Sequence, residues 1–272
     1  MRQKEKEDAR FEAGYFRSTE PVSADLDLTT FKKLSNLPYQ HIFAFMNLKV
    51  IAFDADDTLW VNEPYFRHTE EQFYELLGGF ASQHELEREL LKTEIENLTL
   101  YGYGIKGFIL SMIETALRVT NNTITSEFVG QILDLGKQML NQPIELLEGV
   151  EDVLKALKGK YRLVVATKGD LLDQERKLKK SGLSHYFHHI EIMSEKDDAN
   201  YLKLIRHLDI KPGELMMVGN SLKSDILPVL NVGGYGVHVP YHITWAHEQI
   251  EHSIEDEKFK SVVSIKDILE FL

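Results

Sequence analysis

Asp54 and Asp56 stand two residues apart in Asp54-Ala55-Asp56-Asp57-Thr58, directly behind the apolar run Leu48 to Phe53. Val50, Ile51 and Phe53 read as a buried strand, so both acids fall at its carboxyl end. In open α/β sheets ligands bind in the crevice outside the carboxyl ends of the strands. Two carboxylates at such a point suit a nucleophile, a proton donor and a hard-cation site together. The plainer alternative is an acidic turn closing a strand, with Thr58 capping a helix.

Three more segments fall at the ends of expected strands. Thr167-Lys168-Gly169 follows Leu163 to Ala166. Lys196, in Ser194-Glu195-Lys196-Asp197, follows Ile192. Gly219-Asn220-Ser221-Leu222-Lys223-Ser224-Asp225 follows Met216-Met217-Val218. Taken singly these read as a turn, a solvated lysine and a helix cap. Parallel strands would bring all of them to one sheet edge with Asp54.

That set suits attack on a phosphate ester. The ester is anionic and repels a carboxylate, and Mg²⁺ removes the barrier by bridging the two. Mg²⁺ takes oxygen ligands, one or two of them carboxylates. Asp54, with an oxygen from Asn220 or Asp225, can supply them. The Thr167 hydroxyl, the Lys168 amide and the Lys196 ammonium can hold the other phosphoryl oxygens. Asp54 would attack in line to form an aspartyl phosphate. Asp56 would protonate the leaving oxygen, then deprotonate the hydrolytic water.

Strands and helices must position these residues. Short β-branched or apolar runs at 48–53, 162–166, 189–193, 215–218 and 235–239 alternate with amphipathic stretches of about ten residues, the pattern of βαβ units and a parallel sheet. A last strand, or a turn and helix, is expected over Val263 to Leu272. From Pro64 to about Gln142 no strand-like alternation occurs. Phe66, Phe73, Leu76 and Leu77 form one apolar stripe there, and Leu110, Ile113 and Leu117 another. The expected organisation is a core of residues 46–62 and 143–272, a helical insert over 63–142, and a peripheral extension over 1–45, which opens on a charge run.

Composition narrows the function classes. The 272 residues are 43% hydrophobic and 27% charged, ordinary for a globular chain with a large core. A net charge of -12 argues against nucleic acid or an anionic membrane as the main partner. No cysteine is present, which excludes disulfides and thiolate chemistry. No signal peptide is visible and no apolar run is long enough to span a bilayer, so a cytoplasmic protein is expected. Oligomeric state is not legible.

Asp54/Asp56, Thr167, Lys196 and Gly219 to Asp225, in this order, resemble the haloacid dehalogenase (HAD) superfamily over roughly residues 48–240. The resemblance implies a Rossmann-like parallel sheet flanked by helices and an aspartyl-phosphate mechanism. It implies Asp54 as nucleophile, and Asp56 as acid/base lending only its backbone carbonyl to Mg²⁺. Asn220 departs from the family pattern, which has an aspartate there. Asn keeps an oxygen but loses a charge, so the metal ligand is Asn220 or Asp225. An all-helical insert after the first motif implies a cap domain over the phosphate site. A second acid at position 56 points to phosphatase or phosphomutase, because an ester leaving group needs a proton and a halide does not. The expected activity is hydrolysis of a small phosphorylated metabolite. A non-catalytic HAD-fold binding protein and a phosphomutase are the alternatives.

Other features were weighed for chemistry. Tyr101 to Lys106, glycines among aromatics, is a candidate substrate-facing loop or a plain interhelical turn. His185, His188 and His189 read as strand-edge residues, since zinc would need further ligands. Tyr235, Tyr241 and Trp245 read as packing. Lys177, Lys179 and Lys180 read as a solvated helix end that suits the macrodipole.

Overall fold

In the computed structural model, residues 47–250 and 253–272 are described. The extension expected over residues 1–45 lies outside them. A six-stranded, all-parallel sheet has the order β3-β2-β1-β4-β5-β6. Its strands are β1 (Val50–Phe53), β2 (Arg162–Lys168), β3 (His189–Met193), β4 (Leu215–Gly219), β5 (Tyr235–His238) and β6 (Phe259–Ser261). β1 is central and wholly buried, which is why it reads as a continuous apolar run rather than an alternating one.

Alternation reappears in what each face touches. Ile51 and Phe53 join the layer holding Val150, Val153 and Leu154 of α5 (Val150–Leu157). Val50 and Ala52 join the opposite layer, with Tyr201 and Leu204 of α7 (Asp198–His207). α6 (Leu171–Lys180) follows β2 and is capped by the Asp170 side chain. Between β4 and β5 lie the short α8 (Leu227–Asn231) and, before it, a turn of π-helix at Leu222–Ile226.

Helices α1 (Glu63–Leu77), α2 (Gln83–Tyr101), α3 (Ile105–Val119) and α4 (Ser126–Asn141) form the insert, with an apolar cluster of their own. Ser82 and Glu85 make a capping box at the start of α2. The expected stripe on α3 is corrected. Leu110 is 43% exposed, Ile113 packs against the insert's cluster only partly buried, and the helix buries Phe108, Met112 and Ala116 more deeply. α3 is apolar on more than one side, so periodicity admits two phases, and packing against α2 and α4 selects between them.

Two chain passages join the insert to the sheet, and they pair with each other. Val61 N–H donates to the Glu145 carbonyl at 2.9 Å, Leu147 N–H donates to the Leu59 carbonyl at 3.0 Å, and Trp60 forms an antiparallel bridge with Leu146. The chain ends in β6 and a 3₁₀ turn at Ile265–Glu270, so the last strand lies before Val263. Among the described residues, no helix is long and apolar enough to cross a membrane.

Candidate active site

The carboxyl ends of β1, β2, β3 and β4 meet at one edge of the sheet. Asp54, Asp56, Thr167, Lys168, Lys196, Asn220 and Asp225, all predicted, line a single cavity there. Counting open solvent at its mouth, the empty space there is about 1230 Å³. Phe66, Glu70, Glu94, Tyr103 and Phe108 of the helical insert and its loops line the side facing the sheet.

Lys196 sits at the centre. Its ammonium lies 2.5 Å from Asp54 Oδ1 and 2.6 Å from Asp225 Oδ1, and the residue is only 4% exposed. A buried ammonium needs such partners to remain charged. Desolvation works against that charge, but Asp225 and Asp54 outweigh it and hold the ammonium above its ordinary range. Burial also pushes the Asp54 carboxyl up to about 7, with Lys196 pulling it down and Asp225 pushing it further.

Gly219 lets Asp225 approach. A Cβ on Gly219 would stand 2.2 Å from Asp225 Oδ2, so only glycine fits between the end of β4 and this carboxylate. Asp225 Oδ2 accepts from the Ser221 N–H at 2.9 Å. The π-helical turn carries Asp225 inward. Such turns recur at functional sites because they re-aim a side chain.

The other Asp54 oxygen faces a second group of acceptors. The Asn220 amide oxygen lies 3.3 Å from Asp54 Oδ2 and 3.2 Å from the Asp56 backbone carbonyl. Thr58 Oγ1 stands 3.1 Å from Asp54 Oδ2 and 3.2 Å from the Asn220 oxygen. Three oxygens without a hydrogen between them need either an N–H, supplied by a half-turn of the amide, or a cation. Adjacent oxygens around octahedral Mg²⁺ are about 3 Å apart, which these spacings fit closely. Thr58 was expected at most as a helix cap. It instead bridges the first and fourth segments, a contact that its spacing of four from Asp54 alone does not reveal.

Asp56 is saturated. Its Oδ1 accepts from Trp60 Nε1 at 2.8 Å and Lys177 Nζ at 2.9 Å, and its Oδ2 from Gln174 Nε2 at 2.8 Å. Burial alone would raise this carboxyl, but Lys177, Gln174 and Trp60 outweigh it and hold it below its ordinary value. The solvated-end reading of Lys177 is therefore corrected. It lies one turn from the end of α6, its side chain is only 13% exposed, and it also reaches Asn62 Oδ1 at 2.7 Å. Thr167 is buried at the end of β2.

A polar wall that sequence reasoning missed closes another side. Lys168 Nζ bonds Glu248 Oε1 at 2.6 Å and Ser224 Oγ at 2.9 Å, and lies 3.9 Å from the Tyr103 ring centre. Burial opposes the Glu248 charge, but Lys168 and the Ser221 and Ser224 hydroxyls hold its carboxyl down at about 2. Tyr103, in the candidate loop, donates to Glu195 Oε2 at 2.7 Å and meets Trp245 edge-on. Gly104, at φ 110°, lets that loop pass Asp170, where an added Cβ would lie 3.1 Å from its backbone nitrogen. Trp245 was expected to be packing only; it lines the cavity.

Comparison with known proteins gives this edge a family context. Residues 48–233 match a family model described as haloacid dehalogenase-like hydrolase. A haloacid dehalogenase-like family hydrolase of known structure from Xanthomonas campestris is 36% identical. The match covers 82% of this chain and 89% of that one, with a TM-score of 0.73. Glyceraldehyde 3-phosphate phosphatase of Methanothermobacter thermautotrophicus is 26% identical over 236 residues, 82% of this chain and all of that protein. N-acylneuraminate-9-phosphatase of Rattus norvegicus is 32% identical over 104 residues, 36% of this chain and 42% of that protein.

Proposed function

The chain belongs to the haloacid dehalogenase-like hydrolase family, and from that premise we propose that it is a Mg²⁺-dependent phosphatase acting on a small phosphorylated metabolite. Similarity to two phosphatases of small phosphorylated molecules supports the substrate class. The observation that carries the reading is the position of Asp54. One carboxylate oxygen is paired with the Lys196 ammonium, and the other faces the Asn220 side-chain amide and the Asp56 carbonyl in one cavity.

In this reading Asp54 attacks the phosphorus. The P–O bond to the leaving group breaks as the aspartyl phosphate forms. Asp56 gives the leaving oxygen a proton and then takes one from the water that attacks the phosphoryl group, as the P–O bond to Asp54 breaks and phosphate is released. Lys177, Gln174 and Trp60 orient Asp56 for both steps. The Thr167 hydroxyl, the Lys168 amide and Lys196 hold phosphoryl oxygens. Asp54, the Asp56 carbonyl and Asn220 would hold Mg²⁺. Asp225, whose oxygens are taken by Lys196 and the Ser221 N–H, acts mainly by anchoring Lys196. When bound, the ion would supply positive charge that offsets the repulsion between two anions. The helical insert serves as a cap that excludes water, with Tyr103 and Phe108 toward the leaving group.

Purified protein should release phosphate from p-nitrophenyl phosphate in Mg²⁺, and Asp54→Asn should abolish release while leaving the melting temperature close to wild type. Turnover surviving in that variant rules the mechanism out.

A further inference from the structure

The sheet has an outer edge far in sequence from Asp54 and at the opposite end of the strands. β3 is the edge strand, and it begins at His189. Glu191, two residues on, points to the same face. His207, the last residue of α7, packs against that face, its ring centre 5.3 Å from that of His189. Glu191 Oε2 lies 3.2 Å from His207 Nδ1 and 3.7 Å from His189 Nε2. One nitrogen from each ring and the carboxylate oxygen all lie within 4.8 Å of one another.

His189 Nε2 is shielded from solvent and has no hydrogen-bond partner. Leaving such an atom unsatisfied costs about 1–3 kcal/mol. Its other nitrogen is occupied, 2.8 Å from His188 Nδ1. A proton on His189 Nδ1 in that contact leaves the Nε2 lone pair aimed at Glu191 and His207. A second ring nitrogen held this way is how proteins fix the tautomer of a metal-binding histidine.

We propose that His189, Glu191 and His207 form a zinc site separate from the hydrolytic centre. Two imidazoles and one carboxylate are a donor set of zinc type, and imidazole nitrogen suits transition metals better than Mg²⁺. Ligand atoms around tetrahedral zinc lie about 3.3 Å apart, and two of the three spacings here are already near that value. His207 is exposed, so the fourth position opens to water. The neighbouring cation is Arg162, anchored by the Leu208 carbonyl. Burial first, then the His188 ring and less strongly His207 and Arg162, disfavour the protonated imidazole of His189 against the pull of Glu191. Zinc here would clasp the start of β3 to the end of α7, the two ends of the segment whose turn carries Lys196.

 Sequence alone sets His189 beside His185 and His188; the strand turns Glu191 to the same face as His189, and the fold brings up His207.

The test is calorimetric titration of Zn²⁺ into the full chain in excess Mg²⁺, for wild type, His207→Ala and Glu191→Gln. Both substituted side chains lie at the sheet's outer edge, and neither belongs to the hydrolytic centre. The expected result is a zinc-binding event in wild type that weakens roughly tenfold or more in each variant, with Mg²⁺-dependent phosphate release unchanged. Zinc should also raise the melting temperature of wild type and not of His207→Ala. Equal zinc affinity in all three proteins, or no zinc binding by wild type, overturns the proposal.

Discussion

Replacing Asn220 by aspartate tests the oxygen cluster beside Asp54 from both directions. The Asn220 oxygen is 3.3 Å from Asp54 Oδ2. Two unit charges at that distance repel by about 5 kcal/mol at an effective dielectric constant of about 20. Asn220 is half-buried, and Lys196 already neutralises part of the Asp54 charge. Solvent and that pairing should reduce the penalty to roughly 1–3 kcal/mol. Without Mg²⁺, Asn220→Asp should therefore melt several degrees below wild type. With Mg²⁺ the same added charge becomes an attraction, and the Mg²⁺ midpoint should fall by roughly tenfold or more. Thermal melts across a MgCl₂ series measure both effects in one experiment. A variant that melts like wild type without Mg²⁺ and shows the same Mg²⁺ midpoint would refute the assignment of Asn220 to the cation.

Three further outcomes are expected. Lys177→Met removes the 2.9 Å ion pair to Asp56 and should lower kcat by roughly tenfold or more with little change in KM; steady-state kinetics with unaltered kcat would contradict its orienting role. Glu248 is held at about 2 against an ordinary 4.5, so its stabilising contribution is complete above pH 4.5 and is lost as pH falls toward 2. Melts between pH 5 and pH 2 should show a larger loss in wild type than in Glu248→Gln, the difference being worth about 3 kcal/mol at most; equal losses would contradict the Lys168–Glu248 pairing. Gly219→Ala forces Asp225 away from the Ser221 N–H and should cost about 1–3 kcal/mol, read from the urea midpoint; an unshifted midpoint would mean that Asp225 relaxes freely.

The strands could be read because a central parallel strand is apolar on both faces, as Val50 to Phe53 are. The residues just past each strand were legible with them, since the topology delivers every such end to one edge. The α3 face was not, because an apolar helix has no single phase until α2 and α4 pack on it. Lys177 looked like one member of a lysine-rich helix end, and nothing local distinguishes it from Lys179 and Lys180. Only the approach of α6 to the turn after β1 brings it to Asp56. Thr58 with Asn220, and Lys168 with Glu248, are contacts between segments distant in the chain, and no periodicity encodes them. Glu248 in addition lies in a loop without regular structure beyond one 3₁₀ turn at Ala246–Glu248.

The paired passages through Trp60 and Leu146 make the helical module a detachable part of the architecture. Because Val61 and Glu145 are hydrogen-bonded neighbours, the chain leaves the sheet and comes back at nearly one point. A different module of any length can be grafted there without disturbing strand register, as long as its own ends meet. The same narrow stalk concentrates any rocking of the module into a few residues, and Trp60, hydrogen-bonded to Asp56, is one of them. Motion of the helical module and the placement of the Asp56 carboxylate would thus share a single pivot.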